Sequence, residues 1–113
     1  MDFEKGDELL LGLAALANPV RLRIVAMLAG RRQFVSQLAR DLGISRPLLY
    51  LHLQRLEAAG LVKGNLELSS DGKAMKYFEA VPFEVLLTPE RIAAAVETFG
   101  AADAKNAEDR NGS

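Results

Sequence analysis

The segment from Val35 to Leu53 constrains the fold more than any other part of the chain, because it has the pattern of two short helices joined by a tight turn. Leu38 and Leu42 are spaced so that they share one face of the first helix. Gly43 follows at the position where a left-handed residue normally ends a helix. The corner between the helices carries small or apolar residues, namely Ala39, Ile44 and Leu49. Together these residues predict a helix-turn-helix.

Capping signals predict three further helices around this motif. Asn18 and Thr88 are each followed by proline, which is the pattern of an N-cap before the first helical residue. A helix before Asn18 is apolar or small on nearly every side, so it is expected to contact two surfaces. The predicted N-caps of the five helices are, in chain order, Asp7, Asn18, Ser36, Ser45 and Thr88. The buried stripe of the second helix, which runs from Pro19 to about Ala29, is predicted to be Leu22, Val25, Leu28 and Ala29.

A β-hairpin is predicted after the fourth helix, since the apolar pattern changes there from helical to alternating. Asp71 and Gly72 form a dipeptide typical of a two-residue hairpin turn. Pairing outward from such a turn places Leu68 opposite Met75. The next pairs would be Glu67 with Lys76 and Leu66 with Tyr77. The predicted fold is therefore mainly α, with five helices and a small β-hairpin; a short strand at Phe34 and Val35 could join it.

The charges are distributed unevenly along the chain, although the formal net charge is only −1. The section from Pro19 to Phe78 contains ten basic and four acidic residues, a local net charge of +6. Most of the remaining acidic residues lie towards the two ends. An anionic partner is therefore expected to meet the middle of the chain.

The composition argues against export, membrane insertion and catalysis. The chain has no cysteine, so we expect a cytoplasmic protein without disulfides. The apolar run at residues 9–17 follows mainly acidic residues, whereas a signal peptide needs a basic start. Nine helical residues also rise only about 14 Å, roughly half the hydrocarbon thickness of a bilayer. No phosphate-binding glycine loop or catalytic triad pattern is present, and the single histidine, His52, is expected to be a packed, hydrogen-bonded residue. We predict no enzymatic activity and no cofactor.

Residues 14–81 resemble the winged helix-turn-helix core of ArsR-type transcription regulators. The matching motifs are Asn18-Pro19-Val20-Arg21-Leu22, Leu38-Ala39, Leu42-Gly43-Ile44-Ser45, His52-Leu53 and Ala59-Gly60-Leu61-Val62. The resemblance implies a dimer formed by the first and last helices, with the fourth helix in the major groove of DNA. Many such proteins sense metals, but this chain has no cysteine and its last helix offers only Glu90 and Glu97. Metal sensing by the usual sites is therefore not expected.

The expected domain organisation follows from these elements. It consists of an N-terminal dimerisation helix at residues 1–18, a winged helix-turn-helix DNA-binding core at 19–82, a C-terminal dimerisation helix at 88–100 and a disordered tail at 101–113. The residues predicted to form the dimer are Leu10, Leu13, Ile92, Val96 and Phe99, because two terminal helices of one small domain have too many apolar residues to bury alone.

A helical wheel of the fourth helix indicates the residues that face DNA. If Leu49, Leu53 and Leu56 face inward, the opposite side faces outward. The predicted base contacts are Arg46, Tyr50 and Gln54, with Leu51 near a thymine methyl group and Pro47 on the same face. The predicted phosphate contacts are Ser45, Arg55, Lys63, Lys73 and Lys76.

Two functions from different classes remain open on these residues. The first is a sequence-specific, double-stranded DNA-binding transcription regulator, more a repressor than an activator, acting as a homodimer on a pseudo-palindromic operator. The alternative is a winged-helix module that binds other proteins in a larger assembly. An apolar patch of Leu48, Tyr50 and Leu51 on the fourth helix motivates that alternative.

Overall fold

The structure is a computed structural model that describes residues 2–100, so the tail predicted at residues 101–113 lies outside the described residues. It contains five helices and one antiparallel sheet of three strands in the order β1-β3-β2. The elements are α1 (Gly6–Leu16), α2 (Pro19–Leu28), β1 (Gln33–Phe34), α3 (Val35–Leu42), α4 (Arg46–Ala58), β2 (Val62–Leu68), β3 (Ala74–Ala80) and α5 (Pro89–Val96). The order of elements confirms the predicted fold class.

Three of the predicted helix caps are present as hydrogen bonds. The side chain of Asn18 accepts from the backbone N–H groups of Val20 and Arg21, at 2.9 and 3.2 Å. The hydroxyl of Ser45 accepts from the backbone N–H of Leu48 at 3.3 Å. Thr88 caps α5 in the same way, by accepting from the N–H of Arg91 at 3.1 Å.

The other two predicted caps are wrong, because both helices begin earlier than their polar residues. The N-cap of α1 is Lys5, which makes no side-chain cap, and Asp7 lies inside the first turn. The N-cap of α3 is Phe34, so Ser36 also lies inside the helix and Val35 is helical rather than extended. Phe34 pairs with Tyr77 of β3, and this sheet pairing fixes where the strand ends and α3 begins.

The core lies between the helices and the inner face of the sheet, and it corrects the predicted stripe of α2. Ile24 and Leu28 are the buried residues of α2, whereas Leu22 is 53% exposed and Ala29 is exposed. Most positions of α2 are apolar, so periodicity alone permits several inward faces. Packing against α1, α4 and β3 selects the face that contains Ile24.

The hairpin register differs by one residue from the predicted one. Leu68 pairs with Ala74, Glu67 with Met75 and Leu66 with Lys76. The reason is a longer turn, in which the N–H of Gly72 donates to the carbonyl oxygen of Ser69 at 2.9 Å and the N–H of Ser69 donates to that of Lys73 at 2.8 Å. Gly72 has a φ of 84°, and no non-glycine residue among those described has a positive φ. The turn is thus a three-residue loop ending in a left-handed glycine, which is the next most common hairpin geometry.

Helix α5 packs against α1, next to the N-terminus of the described chain. It ends at Val96, before the end of the C-terminal helix predicted at residues 88–100. The N–H of Gly6 donates to Thr98 Oγ1 at 2.7 Å, and the N–H of Gly100 donates to Asp7 Oδ2 at 3.0 Å. Within residues 2–100 no single helix has the length and apolar character to cross a bilayer; α1 and α2 meet that test only when taken together, and a 96° bend separates them.

Candidate nucleic-acid interface

Helix α4 is held in place by one row of leucines. Leu49, Leu53 and Leu56 are at most 1% exposed, as the spacing predicted. The helix packs against α1, α2, α3 and β2, so its inner side is surrounded by protein. These contacts fix α4 as a rigid rod with one side towards solvent.

The outer side of α4 is exposed along its length. The exposed residues of this face are Arg46, Pro47, Leu48, Tyr50, Leu51, Gln54 and Arg55. Leu51 is 58% exposed, so the face mixes polar and apolar groups. Every residue predicted to approach bases lies on this face, and Ser45 is exposed at its N-terminal end. We call this set of residues the outer face of α4.

The turn between α3 and α4 has the geometry that Gly43 predicted. Gly43 has a φ of 68°, and its N–H donates to the carbonyl oxygen of Arg40 at 3.2 Å. The N–H of Ile44 donates to the carbonyl oxygen of Ala39 at 3.2 Å. These two bonds satisfy two of the last four carbonyl groups of α3, and they constrain the direction in which the chain leaves the turn towards α4.

We call the hairpin formed by β2, β3 and the turn between them the wing. The structure places its three lysines, each predicted to contact phosphate, in different environments. Lys73 is exposed in the turn of the hairpin. Lys76 is half-buried, and its ammonium nitrogen lies 5.6 Å from the centre of the Phe78 ring. Lys63 is exposed near the base of the hairpin, where its Nζ is 3.2 Å from a carboxylate oxygen of Glu79. Lys73 is therefore the wing lysine best placed to reach a phosphate beyond the protein surface.

Two side chains that brace the wing were not found from the sequence. The guanidinium of Arg32 pairs with Glu67 at 2.8 Å and lies 4.2 Å from the centre of the Tyr77 ring. Glu57, at the end of α4, accepts from the backbone N–H of Gly64 in β2 at 3.2 Å. The first contact depends on the observed register and the second on the approach of α4 to β2, so neither had a local signal.

His52 is a packed residue on α4, as predicted, and its partner is Arg21. The NH1 nitrogen of Arg21 is 3.2 Å from His52 Nδ1, and the guanidinium donates while the neutral imidazole accepts. Burial lowers the pKa of His52 below its ordinary value of 6.5, and the positive charges of Arg21 and Arg55 lower that pKa further. The imidazole is therefore neutral at pH 7.

The lowered pKa of His52 predicts a loss of stability in mild acid. The unfolded chain takes up a proton near its ordinary pKa, whereas the folded protein resists protonation until a lower pH. The free energy of unfolding should therefore fall as the pH decreases from neutral through about 6.5 towards the lower folded-state pKa. Urea unfolding of the wild type and of His52→Gln across this range measures the effect. If both proteins show the same pH dependence, His52 is not its source.

The residues predicted to form a dimer lie on or next to α1 and α5, two helices that pack against each other. Leu10 and Leu13 on α1 and Ile92 and Val96 on α5 are exposed, with Leu10 at 60%. Phe99 is half-buried, and it packs over Gly6, where an added Cβ would clash with its ring. Phe99 thus joins α5 to α1 within the chain, while the other four residues face outward.

Among residues 2–100, no three or more histidine, cysteine or acidic side chains are arranged to hold a metal ion. The acidic residue in the first turn of α5 is Glu90. The features that remain at this site are a rigid exposed helix, a wing and basic side chains.

A turn-connected helix pair with an exposed second helix, followed by a β-hairpin, is the architecture of winged helix-turn-helix proteins, a class in which the second helix of the pair typically enters the major groove of DNA. A family model described as a helix-turn-helix domain matches residues 16–65. An uncharacterized HTH-type transcriptional regulator of Methanocaldococcus jannaschii is 36% identical over 78 residues, which are 69% of this chain and 81% of the relative. The HTH-type transcriptional repressor SmtB of Mycobacterium tuberculosis is 44% identical over 52 residues, 46% of this chain and 38% of the relative. The chain belongs to the ArsR-type family of helix-turn-helix transcription regulators.

Solved structures agree with this assignment. A possible transcriptional regulatory protein from Mycobacterium bovis, solved as a fragment, has a TM-score of 0.59 and 26% identity, covering 86% of this chain and 92% of that structure. HlyU from Vibrio cholerae has a TM-score of 0.56 and 25% identity, covering 80% of this chain and 87% of that structure. An ArsR family transcriptional regulator has a TM-score of 0.58 with 20% identity, covering 92% of this chain and 93% of that structure, and it shows the shared fold alone.

Proposed function

We propose that the protein is a homodimeric repressor that binds a pseudo-palindromic operator, with α4 of each subunit in the major groove. The observation that carries this proposal is the outer face of α4, which stays exposed on a helix fixed from behind by three buried leucines. Arg46 and Gln54 lie on this face, and their side chains can form bidentate hydrogen bonds with guanine and adenine.

The proposed dimer uses the exposed apolar side chains of α1 and α5. Four of the five predicted residues face outward from this packed pair of helices. In a two-fold dimer the half-sites are about one helical turn of DNA apart. The proposed division of the chain gives residues 1–18 and 88–100 to the dimer and residues 19–82 to DNA binding.

We propose repression rather than activation because the relative SmtB is named as a transcriptional repressor. The proposed function is DNA binding, and it includes no catalysis, no cofactor and no membrane. The expected location is the cytoplasm, where the operator lies. The chemical nature of an effector ligand is left open by this proposal.

The proposal predicts that Arg46→Ala relaxes sequence preference. The side chain is exposed at the start of α4, so its removal should leave the fold intact. Loss of one bidentate base contact should cost about 1–3 kcal/mol of discrimination at one base pair. Binding of wild type and variant to duplexes selected from a random library, and to their single-base variants, measures this change. An unchanged preference at every position would count against α4 as the reading helix.

A complementary result is expected for Lys73→Ala, because phosphate contacts carry no sequence information. Lys73 is exposed in the hairpin turn. The variant should bind all duplexes more weakly, and the slope of log K against log salt should become smaller by about one. Fluorescence anisotropy over a series of salt concentrations gives this slope. Lys63→Ala is the matched control, because Lys63 already pairs with Glu79 and should change the slope less.

A protein-binding role is the second candidate, and the exposed leucines of the outer face favour it. Leu48 is 43% exposed and Leu51 is 58% exposed. A protein partner on this face would compete with DNA. Stable co-purification of another polypeptide, lost in Leu51→Ala and accompanied by no retardation of selected duplexes, would replace the repressor proposal with this one.

A further inference from the structure

Arg21 connects three helices through one guanidinium group. Its Nε donates to the carbonyl oxygen of Ala15 at 2.6 Å, and its NH2 nitrogen donates to that of Ala14 at 3.4 Å. Its NH1 nitrogen is 3.2 Å from Nδ1 of His52 in α4. Arg21 itself belongs to the first turn of α2 and is half-buried. One side chain therefore joins the C-terminal end of α1 to the middle of α4.

The hydrogen bonds of Arg21 constrain the relative orientation of the groups that they join. The last carbonyl groups of a helix lack partners within it, and the helix dipole places partial negative charge there. Helix α1 has no basic residue in its last turn, so Arg21 supplies that charge from the next helix. A guanidinium presents its donors in a rigid planar fork, which fixes the groups it binds relative to one another. Leucine packing behind α4 is not directional in this way.

We propose that Arg21 is a positioning residue, which holds α4 at a fixed angle to α1 and so sets the distance between the two reading helices of the dimer. The proposal rests on the proposed function, in which α1 forms the dimer and α4 enters the major groove. His52 is the acceptor on α4, and it fills that role while its imidazole is neutral.

This role has a consequence for the operator that a general loss of stability does not have. A dimer binds tightly when both reading helices match both half-sites at one spacing. If the angle between α1 and α4 is not fixed, the dimer binds its best half-site spacing less tightly and discriminates less against other spacings. A single half-site binds one α4 helix, so the affinity of the protein for it does not depend on the angle between α1 and α4.

The test uses the full-length protein and duplexes that the wild type selects from a random library. Each selected duplex is prepared with its own spacer, with the spacer changed by one base pair, and as a single half-site. Arg21→Ala is expected to bind the two-site duplex about tenfold more weakly, within the usual range of coupling between sites. Its affinity for the single half-site should be unchanged, and its preference for one spacer should decrease.

Three controls separate positioning from charge and folding. Arg23→Ala removes the same charge from an exposed position on α2 and should keep the spacer preference. His52→Gln keeps an acceptor for Arg21 and should resemble the wild type, whereas His52→Leu removes the acceptor and should resemble Arg21→Ala. Circular dichroism reports whether each variant folds. If Arg21→Ala does not fold, Arg21→Lys replaces it in the test. This variant keeps the charge but loses the planar fork, so it should also reduce spacer preference.

An unchanged spacer preference in folded Arg21 variants would overturn the inference. An equal loss of affinity on the single half-site would overturn it too, since Arg21 would then act on DNA or on folding. The Arg46→Ala variant distinguishes this failure from failure of the proposed function. If Arg46→Ala relaxes base preference while the Arg21 variants keep the spacer preference of the wild type, only the positioning role of Arg21 is rejected. The proposal that α4 contacts the bases is then retained.

Discussion

Replacing Leu53 with alanine is expected to lower the free energy of unfolding by about 3 kcal/mol, within the range for fully buried leucines. Leu53 is 1% exposed at the centre of the row that fixes α4. The truncation leaves a cavity between α4 and the helices behind it, and small domains have only about 5–15 kcal/mol of total stability. Urea denaturation followed by circular dichroism, at one fixed protein concentration, measures the loss.

Leu51→Ala is the matched control for this prediction. Leu51 lies on the same helix and is 58% exposed, so its truncation should change the free energy of unfolding by no more than about 0.5 kcal/mol. The same variant should weaken DNA binding if Leu51 contacts a thymine methyl group. Equal destabilisation by the two substitutions would mean that α4 does not present its Leu51 side to solvent.

The second large effect is expected from placing charges on the proposed dimer surface. Leu10→Glu combined with Val96→Glu puts two carboxylates on exposed positions of α1 and α5. An isolated subunit tolerates them in water, but burying them without partners in an interface is costly. The double variant should be monomeric at micromolar concentration by analytical ultracentrifugation. Its affinity for a two-site operator should fall by about 100-fold or more, because avidity is lost.

Leu22→Glu is the control for the dimer experiment. Leu22 is 53% exposed, but it lies on α2 and outside the predicted dimer surface. This variant should remain dimeric and retain its affinity for the operator. If the double variant sediments as a dimer, α1 and α5 do not form the contact. If the wild type is itself a monomer at the same concentration, the homodimer proposal fails.

Most of helix α4 could be predicted because its signals are local. Ser45 and Gly43 lie at its start and at the preceding turn, and their roles depend on neighbours within four residues. The inward row of leucines follows from helical periodicity alone. The same locality explains the failures at α1 and α3, where Asp7 and Ser36 are good capping residues but each helix starts earlier. Long-range contacts lie at these starts, namely the bond from Gly6 to Thr98 and the pairing of Phe34 with Tyr77.

The hairpin and α2 show where local signals were insufficient. Asp71 and Gly72 suit a two-residue turn, yet the chain forms a longer loop and every cross-strand pair moves by one residue. In α2 several apolar faces were possible, and contacts with other elements selected Ile24 rather than Leu22. The pairing of Phe34 with Tyr77 likewise joins residues far apart in sequence.

The amino-acid sequence by itself determined the order of the elements, the turn at Gly43 and the side of α4 that is buried, because each depends on groups only a few residues apart. The tertiary structure alone decided the hairpin register, the contact between Arg32 and Glu67, and the approach of Arg21 to both α1 and His52. The contacts of Arg32 with Glu67 and of Arg21 with His52 join segments that are distant along the chain. The hairpin pairs and the bonds from Arg21 to α1 are closer in sequence, but they depend on the path of the turn that connects their segments. The geometry of these contacts is set by how the helices and the sheet pack together. This packing cannot be inferred from a short stretch of sequence.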